Sequence, residues 1–235
     1  MTLTITPLAL SQSVSAGDDL TALVLSALEL AGQSLAPEDV IVVTSKVVAK
    51  SEGRVVAFSG LEADKIRLIE SESRRILRRR GSLRITETHH GFVNANAGVD
   101  LSNADEGTAV LLPRDPDRSA RRLRAEIGRR RGVSVGVVIT DTFGRAWRQG
   151  VCDVAIGSAG VRALLDLRGT RDANGRVLEA TEVAIADEIA AAANLVMGKA
   201  ASTPFALLRG LDATFFGDGS VVEDLVRRPH DDLFR

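Results

Sequence analysis

Aromatic side chains are nearly missing from this sequence: seven Phe, one Trp and no Tyr make up 3% of it. A surface that stacks successive bases of a single strand is hard to build from so few rings. The core must instead be made of Leu, Val, Ile and Ala. Cysteine is reduced to Cys152, so no internal disulfide can form, and a reducing compartment fits. Charge of one sign is not in excess either. Thirty Lys and Arg face thirty-one Asp and Glu, a net charge of −1 that asks for no nucleic-acid partner. No apolar run reaches the ~20 residues needed to span a bilayer, so no membrane partner is expected. The opening segment MTLTITPLALSQSVSAGDDL has no basic stretch followed by an apolar one. It is not expected to be a signal peptide, which makes the cytoplasm the expected location.

Several catalytic signatures are also absent. The sequence holds no G-x-x-x-x-G-K-[ST] phosphate loop, no strand-linked G-x-G-x-x-G, no H-E-x-x-H, no zinc-type cysteine pair and no G-x-S-x-G elbow. Covalent cysteine catalysis would have to rest on Cys152, which has no evident partner.

What remains is an ordinary globular composition, 45% hydrophobic and 26% charged over 235 residues. Leu3–Ile5 reads as a short first strand. Gly17-Asp18-Asp19 reads as a helix start, with acidic residues near the positive end of the dipole. Leu20, Leu23, Val24, Ala27, Leu28 and Ala31 then recur at helical spacing. Val40–Val43 reads as a buried strand, Glu62–Arg80 as a helix with a basic end, and Ile85–Thr88 as a strand. Asn94–Asn103 is a turn-rich loop and Ala109–Leu112 a strand ended by Pro113. Ser119–Arg131 is a basic helix. Val133–Thr140 is the clearest strand and leads into Asp141. A Gly-rich stretch runs from Gly150 to Gly175. Thr181–Met197 reads as a helix, Phe205–Leu208 as a strand and Val221–Arg227 as a last helix. Strands and helices mix without strict alternation, which favours an α+β fold.

Two acidic residues stand out. Asp141 is expected just past the strongest strand, at a sheet edge where ligands often sit. Thr142 adds a hydroxyl beside it, and hard oxygen donors of this kind suit Mg²⁺ or Mn²⁺. Asp100 lies in the turn-rich segment. For each Asp the plain alternative is a turn or helix cap; it is favoured for Asp100 and evenly balanced for Asp141. Ser45, Lys46 and Lys50 follow a buried strand and have the chemistry to bind phosphate. On composition alone, a solvated loop is the better reading for them. The Arg-rich runs 74–80 and 121–131 read as solvated faces. His89 and His90 are adjacent, would point to opposite faces of a strand, and are left out of the metal set.

The segments are more telling together. SKVVAKSEGRVV (residues 45–56), HHGFVNANAGVDLSN (89–103), LLPRDPDRSARRLR (111–124), VVITDTFGRAWRQG (137–150), VAIGSAG (154–160), DLRGTRDANGRVLEAT (166–181) and ADEIAAAANLVMGKA (186–200) occur in this order. This set closely resembles the coenzyme F420-0:L-glutamate ligase family, over nearly the whole chain. The resemblance implies a GTP-dependent γ-glutamyl ligase that adds L-glutamate to the deazaflavin precursor F420-0 or its dehydro form. It implies Mn²⁺ or Mg²⁺, with K⁺, and an α+β fold of mixed sheets and packed helices in an intertwined homodimer. Residues 1–235 would form one ligase domain, either standing alone or as the N-terminal part of a longer fused protein. By the same resemblance, Asp100, Asp141 and Thr142 hold the metal. Ser45, Lys46, Lys50 and Asn103 meet the nucleotide. The turn Leu10, Ser11, Gln12 and Ser13 and the pair Met197-Gly198 line the same site. Asp141 and Lys50 would carry the catalysis, and Arg145 or Arg148 would hold anionic groups of the substrates. Lys199 stands where some members carry an acidic metal contact, and Lys46 where some carry a hydroxyl. Competing readings are another nucleotide-dependent carboxylate–amine ligase or kinase on the same scaffold, and a non-catalytic nucleotide-sensing module.

Overall fold

A computed structural model describes residues 2–101, 106–198 and 202–233 of the protein. The strands are β1 (Thr4–Leu8), β2 (Val40–Thr44), β3 (Val55–Ala57), β4 (Ser73–Arg80), β5 (Leu83–Thr88), β6 (Val93–Ala95), β7 (Thr108–Val110), β8 (Gly136–Gly144), β9 (Val151–Ala159), β10 (Leu165–Asp166), β11 (Glu182–Val183) and β12 (Phe205–Arg209). The helices are α1 (Leu20–Leu30), α2 (Ser45–Ser51), α3 (Glu62–Ser71), α4 (Pro116–Arg131) and α5 (Ile185–Met197). Mixed sheets with packed helices make the α+β architecture the sequence pattern favours.

A five-stranded sheet in the order β1-β12-β2-β8-β9 forms the centre. Its β2–β8 pair is parallel and its other pairs are antiparallel. Val40–Val43 and residues 136–140 are buried at every position. The middle of the sheet is therefore covered on both faces, which is why these runs read as continuous rather than alternating. Helix α5 covers β9, β1 and β12. It does so through an apolar stripe of Ile185, Ala186, Ile189, Ala190, Ala193 and Met197. Helix α4 packs on β8 and β9. Asp115 caps it by accepting from the Arg118 N–H at 2.8 Å, Pro116 occupies its first turn, and Gly132 ends it at φ 66°. Asp19 caps α1 in the same way, from the Ala22 N–H at 3.1 Å.

Several expectations need correction. The helix expected over 62–80 stops at Ser71, and the Arg-rich remainder is strand β4. It pairs with β5, and Arg74 and Arg75 form ion pairs with Glu87 there. Arg is a good helix former, so this is a case of cross-strand pairing overriding local propensity. The Gly-rich stretch from Gly150 opens with a nine-residue strand, β9. Gly157 is required there because a Cβ would overlap the Pro116 backbone, so this glycine serves close packing rather than a loop. Strand β8 runs on through Gly144, which places Asp141 and Thr142 inside the strand. Ser45–Ser51 is a helix, not a loop. The last expected helix is a single wide turn, Val221–Leu225. It is anchored by buried Asp117, which accepts from the Val221 and Val222 N–H groups and the Ser220 hydroxyl.

Gly157→Ala is expected to destabilise the protein by about 1–3 kcal/mol through overpacking. Gly144→Ala, in the paired strand with open space around it, is expected to stay within about 0.5 kcal/mol. Urea unfolding of the two variants checks this; equal losses would contradict the packing role given to Gly157.

Candidate active-site cleft

A cleft of about 710 Å³ opens where β2 passes into α2, beside β8 and β9. Its lining includes Ser45, Lys46 and Lys50 from α2, Asp141 and Thr142 from β8, and Asp100. Leu10, Gln12, Met197 and Gly198 complete the set of expected residues found there. Ser11 and Ser13 belong to the same exposed turn as Gln12 but lie outside the lining. Asn103 and Lys199 fall outside the described residues. Arg145 and Arg148 sit on the exposed β8–β9 connection, beyond the cleft lining. His89 and His90 are elsewhere, each with its Nε2 against backbone carbonyls, those of Ser71 and of Pro113 and Arg114.

The sheet explains the grouping. β2 and β8 run parallel with Thr44 opposite Thr140. The residues just beyond that pair, Ser45 and Asp141, therefore emerge side by side. The Ser45 hydroxyl donates to Asp141 Oδ1 at 2.7 Å. Asp100 is not a free surface turn. Its backbone exchanges two hydrogen bonds with Val110, at 2.8 and 2.9 Å, which hold its side chain toward α2. There Lys46 Nζ lies 2.7 Å from Asp100 Oδ2.

One acidic lining residue was not anticipated. Asp153 on β9 stands directly opposite Thr142. The Thr142 hydroxyl donates to its Oδ1 at 2.6 Å, and the Thr140 hydroxyl lies 3.4 Å from its Oδ2. The Gly-rich reading of this stretch hid it. A hairpin folded back between Gly144 and Gly150 would have paired Asp153 with the β8 motif and exposed the signal.

Three carboxylates, Asp141, Asp153 and Asp100, thus act on one another. Burial raises the Asp141 carboxyl to about 7, against the pull of the Ser45 hydroxyl. The negative charges of Asp153 and Asp100 contribute to the same rise, and the Thr142 N–H opposes it. Excess negative charge of this kind is relieved by cations. Among the described residues, no three His, Cys, Asp or Glu side chains are grouped to ring a single metal ion. The donors still fit Mg²⁺ or Mn²⁺. These ions commonly take one or two carboxylates and complete their shell with water and substrate phosphate oxygens.

The sequence profile described as F420-0:Gamma-glutamyl ligase matches residues 10–210. Similar proteins include the coenzyme F420:L-glutamate ligase of Methanopyrus kandleri, 41% identical over 252 residues, covering 100% of this chain and 98% of the relative. The ligase of the same name from Methanothermobacter thermautotrophicus is 40% identical over 238 residues, with 94% of each chain covered. That of Methanocaldococcus jannaschii is 40% identical over 213 residues, with 84% of each covered.

The raised Asp141 carboxyl makes a pH prediction. The folded protein holds this proton above the pH at which the unfolded chain releases it. Stability present below the unfolded value of 3.8 is therefore lost as pH rises through about 7. Asp141→Asn keeps an acceptor for Ser45 without the charge. Metal-free, it should melt several degrees above the parent at pH 8 and about equally at pH 4. A variant that melts lower at pH 8 would contradict the charge argument.

Proposed function

The chain belongs to the F420-0:gamma-glutamyl ligase family, and we propose that it joins L-glutamate through amide bonds to the deazaflavin precursor F420-0 at the expense of GTP. The observation that carries this reading is the convergence of Ser45, Lys46, Lys50, Asp100, Asp141 and Thr142, from distant segments, on one cleft. Its volume lies within the roughly 300–1,000 Å³ usual for small-molecule sites.

A carboxylate does not condense with an amine at neutral pH unless it is activated. In this reading the γ-phosphoryl group of GTP passes to the terminal carboxylate of the acceptor. The bond to the β-phosphate breaks, GDP leaves, and an acyl phosphate forms. The deprotonated α-amine of glutamate then attacks the acyl carbon, and phosphate departs with the electron pair. Lys50 and Lys46 neutralise phosphate oxygens as charge shifts between them. Lys46 reaches the phosphate by turning from Asp100, its present partner. Ser45 and the Thr142 N–H hold the Asp141 carboxylate in a fixed direction. Asp153, by accepting from Thr142, turns that hydroxyl's lone pairs away from itself. Asp100, Asp141 and Thr142 would hold the divalent metal, which when bound supplies charge neutralisation across the phosphate oxygens. No side-chain nucleophile is used. The reading also includes K⁺ and a homodimer, both of which rest on the family resemblance.

The protein is expected to add one or more glutamyl units to F420-0 in the presence of L-glutamate, GTP and Mn²⁺, read by mass spectrometry. Asp141→Asn should abolish the mass gain. Lys50→Met should lower kcat/KM for GTP by about a hundredfold or more. Transfer that survives in Asp141→Asn would remove that carboxylate from the chemistry. GTP cleavage without glutamyl transfer would move the reading to a kinase or to a ligase with a different acceptor.

A further inference from the structure

The β8–β9 hairpin carries more than the two ends of the carboxylate cluster. Gly144 pairs with Val151, so residues 145–150 form its tip. Trp147, the only tryptophan in the chain, sits there 93% exposed. Its backbone has φ 64°, a left-handed conformation that a bulky residue rarely adopts. Arg145 Nη2 donates to the Gln149 carbonyl at 2.8 Å, which ties the tip together and holds the indole out into solvent. Arg148 is exposed, and its guanidinium pairs with nothing among the described residues. Val151, half-exposed, adjoins the tip at the start of β9.

An exposed indole on a strained backbone beside an unpaired guanidinium, on a hairpin whose other end lines the cleft, has the make-up of a recognition element. Thr142 lines the cleft. At about 3.3 Å per residue along the strand, the tip lies on the order of 10 Å outside it. The ligand this combination selects is planar, aromatic and anionic. The ring would stack on Trp147, and a phosphate would pair with Arg148 in the bidentate manner that suits guanidinium. We propose that the 145–150 tip docks the ring and phosphodiester of the acceptor while its reacting carboxylate reaches the cleft between Asp141 and Asp100. This rests on the ligase reading above and adds the element that recognises the acceptor to it.

The single tryptophan makes the test direct. F420-0 is titrated into the protein without GTP or glutamate, and the fluorescence is corrected against free N-acetyltryptophanamide in the same solution. Saturable quenching is expected. In the ligase assay, Trp147→Ala should raise the KM for F420-0 about tenfold or more, within the range for loss of one stacked ring. The KM for GTP should stay unchanged, and Trp147→Phe should recover most of the loss. Arg148→Met should raise the same KM. Quenching that does not saturate would overturn the proposal, whether or not the protein turns over. Normal turnover with an unchanged acceptor KM in Trp147→Ala would overturn it and leave the ligase reading standing. So would a defect that tracks dissociation in sedimentation, because the indole would then be a contact between copies. If the parent transfers no glutamate, the ligase reading fails, and the titration alone decides the docking.

Discussion

Repulsion between carboxylates shapes this site. Burial first, and then the charges of Asp153 and Asp100, hold the Asp141 proton to about 7. A fold does not keep such an arrangement for stability, since each uncompensated buried charge works against folding. The neighbouring features make sense as responses to it. Lys46 covers Asp100, Ser45 and the Thr142 N–H donate to Asp141, and Thr142 and Thr140 point their hydroxyls at Asp153. What these donors leave unbalanced is a demand for positive charge, which in the proposed reading a divalent metal would meet.

The sheet order makes the crowding possible. The parallel β2–β8 pair puts two strand-to-site junctions side by side, one leading into α2 and the other carrying the acidic motif. The β8–β9 hairpin then adds Asp153 from the next strand. Glycine enters where backbones must touch, as at Gly157 against the start of α4. Apart from buried Phe205 and Phe92, the rest of the core is built mostly of aliphatic side chains, as the scarcity of rings required.

Much of this could be read from the sequence, for physical reasons that differ from place to place. Val40–Val43 and Val137–Ile139 are β-branched and apolar, so their burial was legible without neighbours. Asp19 and the periodic leucines marked α1 in the same local way. The strand β4 was not legible, because Arg-rich segments become strands only through a partner, here Glu87 on β5. Asp153 was hidden because glycines that serve close packing look like loop glycines. Asp100 and Lys46 each had a bland reading, turn and solvated loop, that the Asp100–Val110 pairing, helix α2 and their own ion pair displace. The resemblance of ordered segments brought these residues together before the geometry did, since it does not depend on local propensity. The membrane expectation is answered narrowly: among the described residues, no helix is long and apolar enough to cross a bilayer.

The central claim is that the Asp141–Asp100 cleft receives a metal–nucleotide complex. Crystals grown with Mn²⁺ and a non-hydrolysable GTP analogue would test it most directly, with manganese located by its anomalous scattering. The account predicts an anomalous peak coordinated by the Asp141 carboxylate and by phosphate oxygens of the analogue, with Lys46 turned from Asp100 toward the nucleotide. Manganese and nucleotide bound away from this cleft, or a nucleotide in the cleft with Asp141 contacting neither it nor the metal, would contradict the account.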